Sequence, residues 1–137
     1  QALATRLRVD DVVTFGGFVP DPELRHLLHV AGCAVIPSLY EPFGIVALEA
    51  LAAGAPLVAA ATGGLTEILG GTEAGLLYPA GDATALAAAV ARVFTEPGVA
   101  ERCRNAAEAL VTGPYSWDSV AAATMPVYER VVGPAAR

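Results

Sequence analysis

Short apolar runs alternate with longer helix-forming runs along most of this chain, and this order limits the possible folds more than any other feature. The runs 34–37, 56–60 and 75–78 are short and apolar, which is typical of buried strands. Each run precedes a segment with helical character, and strands that alternate with helices predict a parallel sheet. A further strand is predicted at 12–15, and helices are predicted at 3–8, 22–31, 44–53, 64–70, 83–95, 99–111 and 117–132. The predicted fold class is α/β.

Polar residues ahead of three of these helices predict where the helices begin. Asp21, Asp82 and Ser116 each precede a helical run, and each carries a side-chain oxygen that can accept a backbone N–H of the first turn. At the last helix, Tyr115 and Trp117 are expected to pack the helix against the core, because aromatic side chains bury large apolar areas.

The loop and helix in the middle of the chain form the main candidate site. Glu41 lies on the loop, and the helix that begins at Gly44 is apolar except for Glu49. A helix that is apolar all round is usually buried, and its first turn is expected to offer the N–H groups of Gly44, Ile45 and Val46 to phosphate or sugar oxygens. Glu49 either accepts hydrogen bonds from ligand hydroxyls or reaches solvent. Glu41 is either a site residue or an acid that the helix dipole favours.

A second glycine-rich loop follows the next predicted strand. Gly63 and Gly64 stand between the strand 56–60 and a short helix. Two adjacent glycines allow backbone amides to face an anion. The alternative interpretation is an ordinary tight turn. Glu67 is interpreted as a first-turn helix acid rather than a catalyst.

These segments, taken in order, resemble the donor-sugar signature of the retaining glycosyltransferases of family four, the glycogen-synthase-like group. The segments that carry the resemblance are Pro37-Ser38, Glu41-Pro42-Phe43-Gly44, Glu49, Ala53-Gly54-Ala55-Pro56 and Thr62-Gly63-Gly64-Leu65-Thr66-Glu67. Further matching segments lie at 13–19, 74–82 and 115–117, so the resemblance covers nearly the whole chain. It implies a Rossmann-like parallel sheet with flanking helices, as in the C-terminal domain of the two-domain GT-B fold.

The resemblance also implies a role for individual residues. Glu41 would contact the transferred sugar near its reacting centre, which makes it the candidate catalytic residue, and Glu49 would hold the ribose of a UDP-, ADP- or GDP-linked sugar. The residues implied to bind the donor sugar and phosphates are Phe43, Gly44, Ile45, Val46, Gly63 and Gly64. Those implied to contact the base are Gly17, Phe18 and Val19. The implied reaction is sugar transfer with retention of anomeric configuration, and the alternative is a noncatalytic nucleotide-sugar-binding or interaction module.

The chain also departs from the family pattern. The family's domain opens with a strand, an Arg and Lys pair, and a second strand, whereas this chain contains no Lys and its eight basic residues are all Arg. Residues 1–137 are therefore expected to be a truncated nucleotide-sugar-binding domain. It would lack its first strands and the N-terminal acceptor domain, and would be inactive alone. The strand 12–15 would pair with 34–37, pair with another chain in a homodimer, or remain loose.

Composition excludes several other classes of protein. The net charge of −6 and the lack of a basic stripe argue against a nucleic-acid partner. No apolar stretch reaches the ~18 residues of a transmembrane segment, and no signal peptide is recognised, so a cytoplasmic protein is expected. The abundance of Ala and Arg without Lys suggests a bacterial source.

The cysteine and histidine residues do not predict a metal site. Cys33 and Cys103 are isolated in the sequence and are expected to be reduced, with Cys33 in the core. His26 and His29 lie three apart on one helix, but no further ligands are placed nearby in the sequence. We therefore expect neither a metal nor a cofactor.

Overall fold

The fold is known from a computed structural model that describes residues 1–133. The described helices are α1 (Ala2–Leu7), α2 (Asp21–Val30), α3 (Ile45–Ala52), α4 (Gly63–Leu69), α5 (Ala83–Thr95), α6 (Val99–Thr112) and α7 (Trp117–Val132). The strands are β1 (Ala34–Ile36), β2 (Leu57–Ala60) and β3 (Gly75–Tyr78). Apart from the strand at 12–15, every predicted element is confirmed, with ends that differ by no more than one residue.

The three strands form one parallel sheet in the order β1-β2-β3. Val35 of β1 lies opposite Val58 of β2, and Val58 lies opposite Leu76 of β3. All four residues of β2 are buried, as expected for the central strand of a sheet covered on both faces. The predicted α/β fold with a parallel sheet and flanking helices is therefore confirmed.

Alternate residues of the strands supply two separate layers of core, because side chains of a strand point to opposite faces. One layer joins the sheet to α3 and α4, and its larger members are Ile36, Leu51, Leu57, Leu65, Ile68 and Leu69. The other joins it to α5 and α6, and its larger members are Val58, Tyr78, Val93, Val99 and Cys103.

The predicted strand at 12–15 is wrong for the single chain. Val12 and Phe15 are 77% and 54% exposed, and the N–H of Val12 bonds the carbonyl of Val9 in a turn. A strand requires a hydrogen-bonding neighbour, and within residues 1–133 β1 pairs with β2 alone. Residues 12–15 therefore remain loose, which is the third of the arrangements expected from the sequence.

Two of the three predicted helix caps are confirmed. The Asp82 carboxylate accepts the N–H of Ala85 at 2.9 Å, and the Ser116 hydroxyl accepts the N–H of Ser119 at 3.2 Å. The prediction for Asp21 is wrong, because α2 begins at Asp21 itself and Pro20 precedes it as the cap residue. Asp21 still places a negative charge in the first turn, where the helix dipole favours it.

The last helix does not pack as expected. Trp117 is 85% exposed, and none of the residues of α7 is buried. Tyr115, just before the helix, does pack partly against the core. No helix within residues 1–133 has the length and apolar character that a membrane crossing requires.

The two cysteines are free thiols held in or beside the second layer of the core. Cys103 is buried, whereas Cys33 is half-buried at the edge of the layer, so its predicted core position is only partly correct. Burial raises the pKa of both thiols, which therefore remain protonated at neutral pH.

Candidate functional site

The loops that follow β1 and β2 meet at the carboxyl end of the sheet. Ligands of open parallel sheets bind at this end. The first loop ends at Gly44, the cap residue of α3, and the second ends at Thr62, the cap residue of α4. Two helix N-termini therefore begin side by side, each directly after a strand of the sheet.

The carboxylate of Glu41 is held at the start of α3. Glu41 is half-buried, and its Oε1 accepts the backbone N–H of Gly44 at 3.1 Å. This contact is typical of an acid favoured by a helix dipole, which was one of the two interpretations of Glu41. The Gly44 N–H is consequently occupied, and its prediction as an unpaired donor is wrong. For the N–H groups of Ile45 and Val46, the structure shows no acceptor within residues 1–133.

The two glycines of the second loop allow the loops to lie in backbone contact. The N–H of Gly64 donates to the carbonyl of Glu41 at 2.8 Å. A Cβ on Gly64 would lie 2.5 Å from the carbonyl carbon and oxygen of Phe43, and one on Gly63 would meet the Glu41 carbonyl. The Thr62 hydroxyl adds a hydrogen bond of 3.3 Å to the carbonyl of Leu39. We call this contact between 39–44 and 62–64 the loop clamp.

The loop clamp changes the interpretation of the glycines. The sequence left two alternatives, an anion-binding nest and a tight turn. The structure shows that the Gly64 amide is already bonded to the first loop, so that amide is not free for an anion. The glycines are needed because any larger residue would push the two loops apart.

The first turn of α3 lies at the surface rather than in the core. Phe43 is 76% exposed and Ile45 63% exposed, although Ala47, Ala50 and Leu51 farther along are buried. The expectation of a helix buried on all sides is therefore wrong at its N-terminal end. The sequence cannot distinguish an apolar residue that packs in the core from one left open beside a site.

Glu49 is exposed and lines a groove between α2 and α3. The groove has a volume of about 520 Å³, and from α2 it is lined by Asp21, Arg25 and His29 among others. The His29 ring donates a hydrogen bond from Nδ1 to the Ala53 carbonyl at 3.2 Å, which ties the two helices together. Glu49 thus reaches solvent, but through a concave surface. Sequence reasoning missed the groove, although α2 residues spaced three and four apart were a signal for a shared face.

The predicted base-contacting residues come before the groove residues in the sequence. Gly17 and Phe18 are exposed and Val19 is half-buried, in the segment that leads into α2. Phe18 is 91% exposed, which is unusual for an aromatic side chain in a single chain. None of the three lines the groove, whose first residue along the chain is Asp21.

This chain is similar to known glycosyltransferases in both its sequence and its fold. Residues 1–110 match the family model described as glycosyl transferases group 1. The glycogen synthase of Mycobacterium tuberculosis is 45% identical over 125 residues, which make up 91% of this chain and 30% of that protein.

Two solved structures share the fold. Sucrose-phosphate synthase from Thermosynechococcus elongatus superposes with a TM-score of 0.86 at 35% identity, over 96% of this chain and 33% of that one. Anabaena HepE, solved in complex with UDP and glucose, superposes with a TM-score of 0.78 at 27% identity, over 97% of this chain and 35% of that one. This chain therefore spans about a third of the length of these relatives. The predicted family and its GT-B type of fold are confirmed, and the chain belongs to the group 1 glycosyl transferases.

Proposed function

We propose that this chain supplies the donor-binding region of a retaining glycosyltransferase, which moves a sugar from a nucleotide diphosphate to an acceptor. The loop clamp is the observation that carries the proposal. It fixes the Glu41 carboxylate and the open amides of Ile45 and Val46 at the carboxyl end of a parallel sheet. The complex of a structural neighbour with UDP and glucose supports a nucleotide sugar as the ligand.

Glu41 is the proposed catalytic residue. Its Oε1 is engaged with Gly44, and the remaining carboxylate oxygen accepts hydrogen bonds from the transferred sugar close to the reacting carbon. The amides of Ile45 and Val46 stabilise the departing phosphate, since a helix N-terminus favours negative charge. Phe43 and Gly44 contact the sugar, and no protein nucleophile is required if the leaving phosphate assists attack on the same face.

The diphosphate passes beside the second loop, along Gly63 and Gly64. Gly63 is exposed, so its backbone can approach the ligand, while Gly64 is buried and holds the first loop in place. Glu49 binds the ribose hydroxyls, because a carboxylate on a concave surface can accept two hydroxyl hydrogen bonds.

The chain alone is proposed to be inactive. It contains no Lys, and none of its eight Arg lies within 39–44 or 62–64, so the residues of the loop clamp themselves supply no positive charge to stabilise a diphosphate leaving group. The remainder of a relative's length would supply those cations, the strands beside β1 and the acceptor domain. The open edge of β1 could instead pair with a second copy of this chain, and light scattering at high protein concentration tests this alternative.

Calorimetric titration of the chain with UDP-, ADP- and GDP-glucose tests the donor site. We expect one of the three to bind, and Glu49→Ala to weaken it about tenfold, because a hydrogen bond to a charged group contributes about 1.5 kcal/mol. Glu108→Ala is the matched control, since Glu108 is an exposed glutamate on α6. No binding of any of the three to the folded chain would refute a donor site that forms in this chain alone, and robust sugar transfer by the chain alone would refute its inactivity.

A chimera distinguishes the enzyme from the noncatalytic module. The matched segment of the M. tuberculosis glycogen synthase is replaced by the corresponding residues of this chain. We expect sugar transfer in the chimera, its loss with Glu41→Ala, and its retention with Glu108→Ala. A folded chimera that binds nucleotide sugar without transfer would favour the module.

A further inference from the structure

A small cavity beside the start of β3 lies apart from the loop clamp and from the groove between α2 and α3. It is lined by Gly75 and Leu76 of β3, Arg92 of α5, and Val99 and Arg102 of α6, among others. Its volume is about 140 Å³, several times the ~15 Å³ that one water molecule requires. Gly75 begins β3, so the cavity lies toward the amino end of the sheet, whereas the loop clamp follows the carboxyl ends of the strands.

Two arginine side chains line this cavity with most of their hydrogen-bond donors unused. The Nε of Arg92 donates to Oε1 of Glu96 at 2.8 Å. The Nε of Arg102 lies 3.7 Å from Oε1 of Glu73, which is longer than a hydrogen bond. For the η N–H groups of both guanidiniums, the structure shows no acceptor within residues 1–133. Both side chains are about half exposed, so an anion that enters from solvent can reach them.

The charges around the cavity favour an anion, although the chain as a whole carries a net charge of −6. Two arginines in the lining stand against one acid, Glu73. Val99 is the first residue of the 14-residue helix α6, whose dipole places a positive partial charge beside the cavity. Val99 and Cys103 are also buried, and such an apolar wall strengthens the attraction between an anion and the guanidiniums.

The carboxylate of Glu73 is a weakly held competitor for these cations. Its side chain is 74% exposed, and an exposed ion pair of this kind contributes at most about 1 kcal/mol. A phosphate group carries more charge than a carboxylate and offers oxygens to Arg92 and Arg102 together. Arginine binds phosphate through two parallel N–H donors, so a phosphate group can displace Glu73 from the cavity.

We propose that this cavity is a second ligand site, which binds a phosphate group between Arg92 and Arg102. The site is separate from the proposed donor site, because the two lie toward opposite ends of the sheet. Its ligand is free phosphate or the phosphoryl group of a small metabolite, since the cavity has room for little more than that group. Bound phosphate would join the start of β3 to α5 and α6, and so stabilise the folded chain.

Amide chemical shifts in ¹⁵N-labelled chain test the proposal, with sodium phosphate and glycerol 3-phosphate titrated separately at constant ionic strength. Both should shift amides at 75–76, 92 and 99–103 more than those at 39–44 and 62–64. Arg102→Gln should weaken binding about tenfold, because it removes a charged donor, whereas Glu73→Gln should tighten binding by removing the competing acid. Arg130→Gln is the matched control and should change nothing, since Arg130 is an exposed arginine on α7, outside the cavity.

The two ligands also identify the source of the phosphate group. Tighter binding of glycerol 3-phosphate supports a phosphorylated metabolite, and tighter binding of sodium phosphate supports the free ion. The proposal is overturned if neither ligand shifts the amides at 75–76 and 99–103 beyond the effect of sodium chloride. It is also overturned if Arg102→Gln and Arg130→Gln weaken binding equally, or if Glu73→Gln weakens it.

Discussion

The loop clamp and the last helix, α7, differ in how far their residues contact the rest of the chain. The clamp and β2 are fixed by contacts between residues far apart in the sequence, and all four residues of β2 are buried. Helix α7 has 16 residues, none of them buried, and its apolar side chains face outward. Its start is capped by Ser116, and Pro126 within it has no backbone N–H to donate. The start of this helix is therefore marked by its own sequence, although none of its residues is buried in the core.

The largest expected effect is in the centre of the sheet. Leu57→Ala removes a fully buried side chain from β2, and we expect the free energy of unfolding to fall by about 4 kcal/mol. Val131→Ala, in a helix with no buried residue, should change it by less than about 0.5 kcal/mol. Urea denaturation of both variants measures the difference. Similar losses for the two would show that α7 is part of the same cooperative core.

The next effect concerns the loop clamp. Gly64→Ala places a methyl group 2.5 Å from backbone atoms of Phe43, and we expect a loss of about 3 kcal/mol as the loops separate. Gly71→Ala is the control, because a Cβ there meets nothing within 4 Å and the cost, about 1 kcal/mol, comes only from its positive φ. The free energies of unfolding are compared by urea denaturation. If Gly64→Ala were the milder change, the loops would not be rigidly clamped.

The smallest effect is confined to α7. Ser116→Ala removes the hydroxyl that accepts the Ser119 N–H, which should destabilise the helix start by about 1 kcal/mol. Hydrogen exchange should become faster in the first turn of α7, while exchange in β2 stays unchanged. Faster exchange in β2 as well would contradict the separation of the two regions.

The elements of the fold were predictable because each is encoded by its own residues. The runs that form β2 and β3 are apolar and short, and Asp82 and Ser116 mark helix starts by their side chains. Whether residues 12–15 form a strand could not be predicted in the same way. Their composition suits a strand, but a strand exists only with a neighbour, and pairing is a property of the assembled sheet.

The candidate site was predictable in its residues and less so in their environment. Glu41, Gly44 and the two glycines were identified from the sequence, and the structure brings them together in the loop clamp. The occupied amide of Gly44 and the exposed first turn of α3 were not foreseen. Both depend on which surfaces meet, and periodicity alone does not distinguish a buried apolar face from an open one. For the same reason, the exposure of Trp117 could not be predicted from the sequence.

The bond that joins Gly64 to Glu41 in the loop clamp is made by main-chain atoms, and this has a consequence for laboratory evolution of the proposed donor site. The bond from Gly64 to Glu41 does not involve the side chains of Tyr40 and Phe43, which are 81% and 76% exposed. Those two positions can therefore be randomised while the scaffold that carries them stays intact. A library at 40 and 43 would vary the surface beside the proposed donor site, whereas larger side chains at 63 and 64 would clash with the backbone of Glu41 and Phe43.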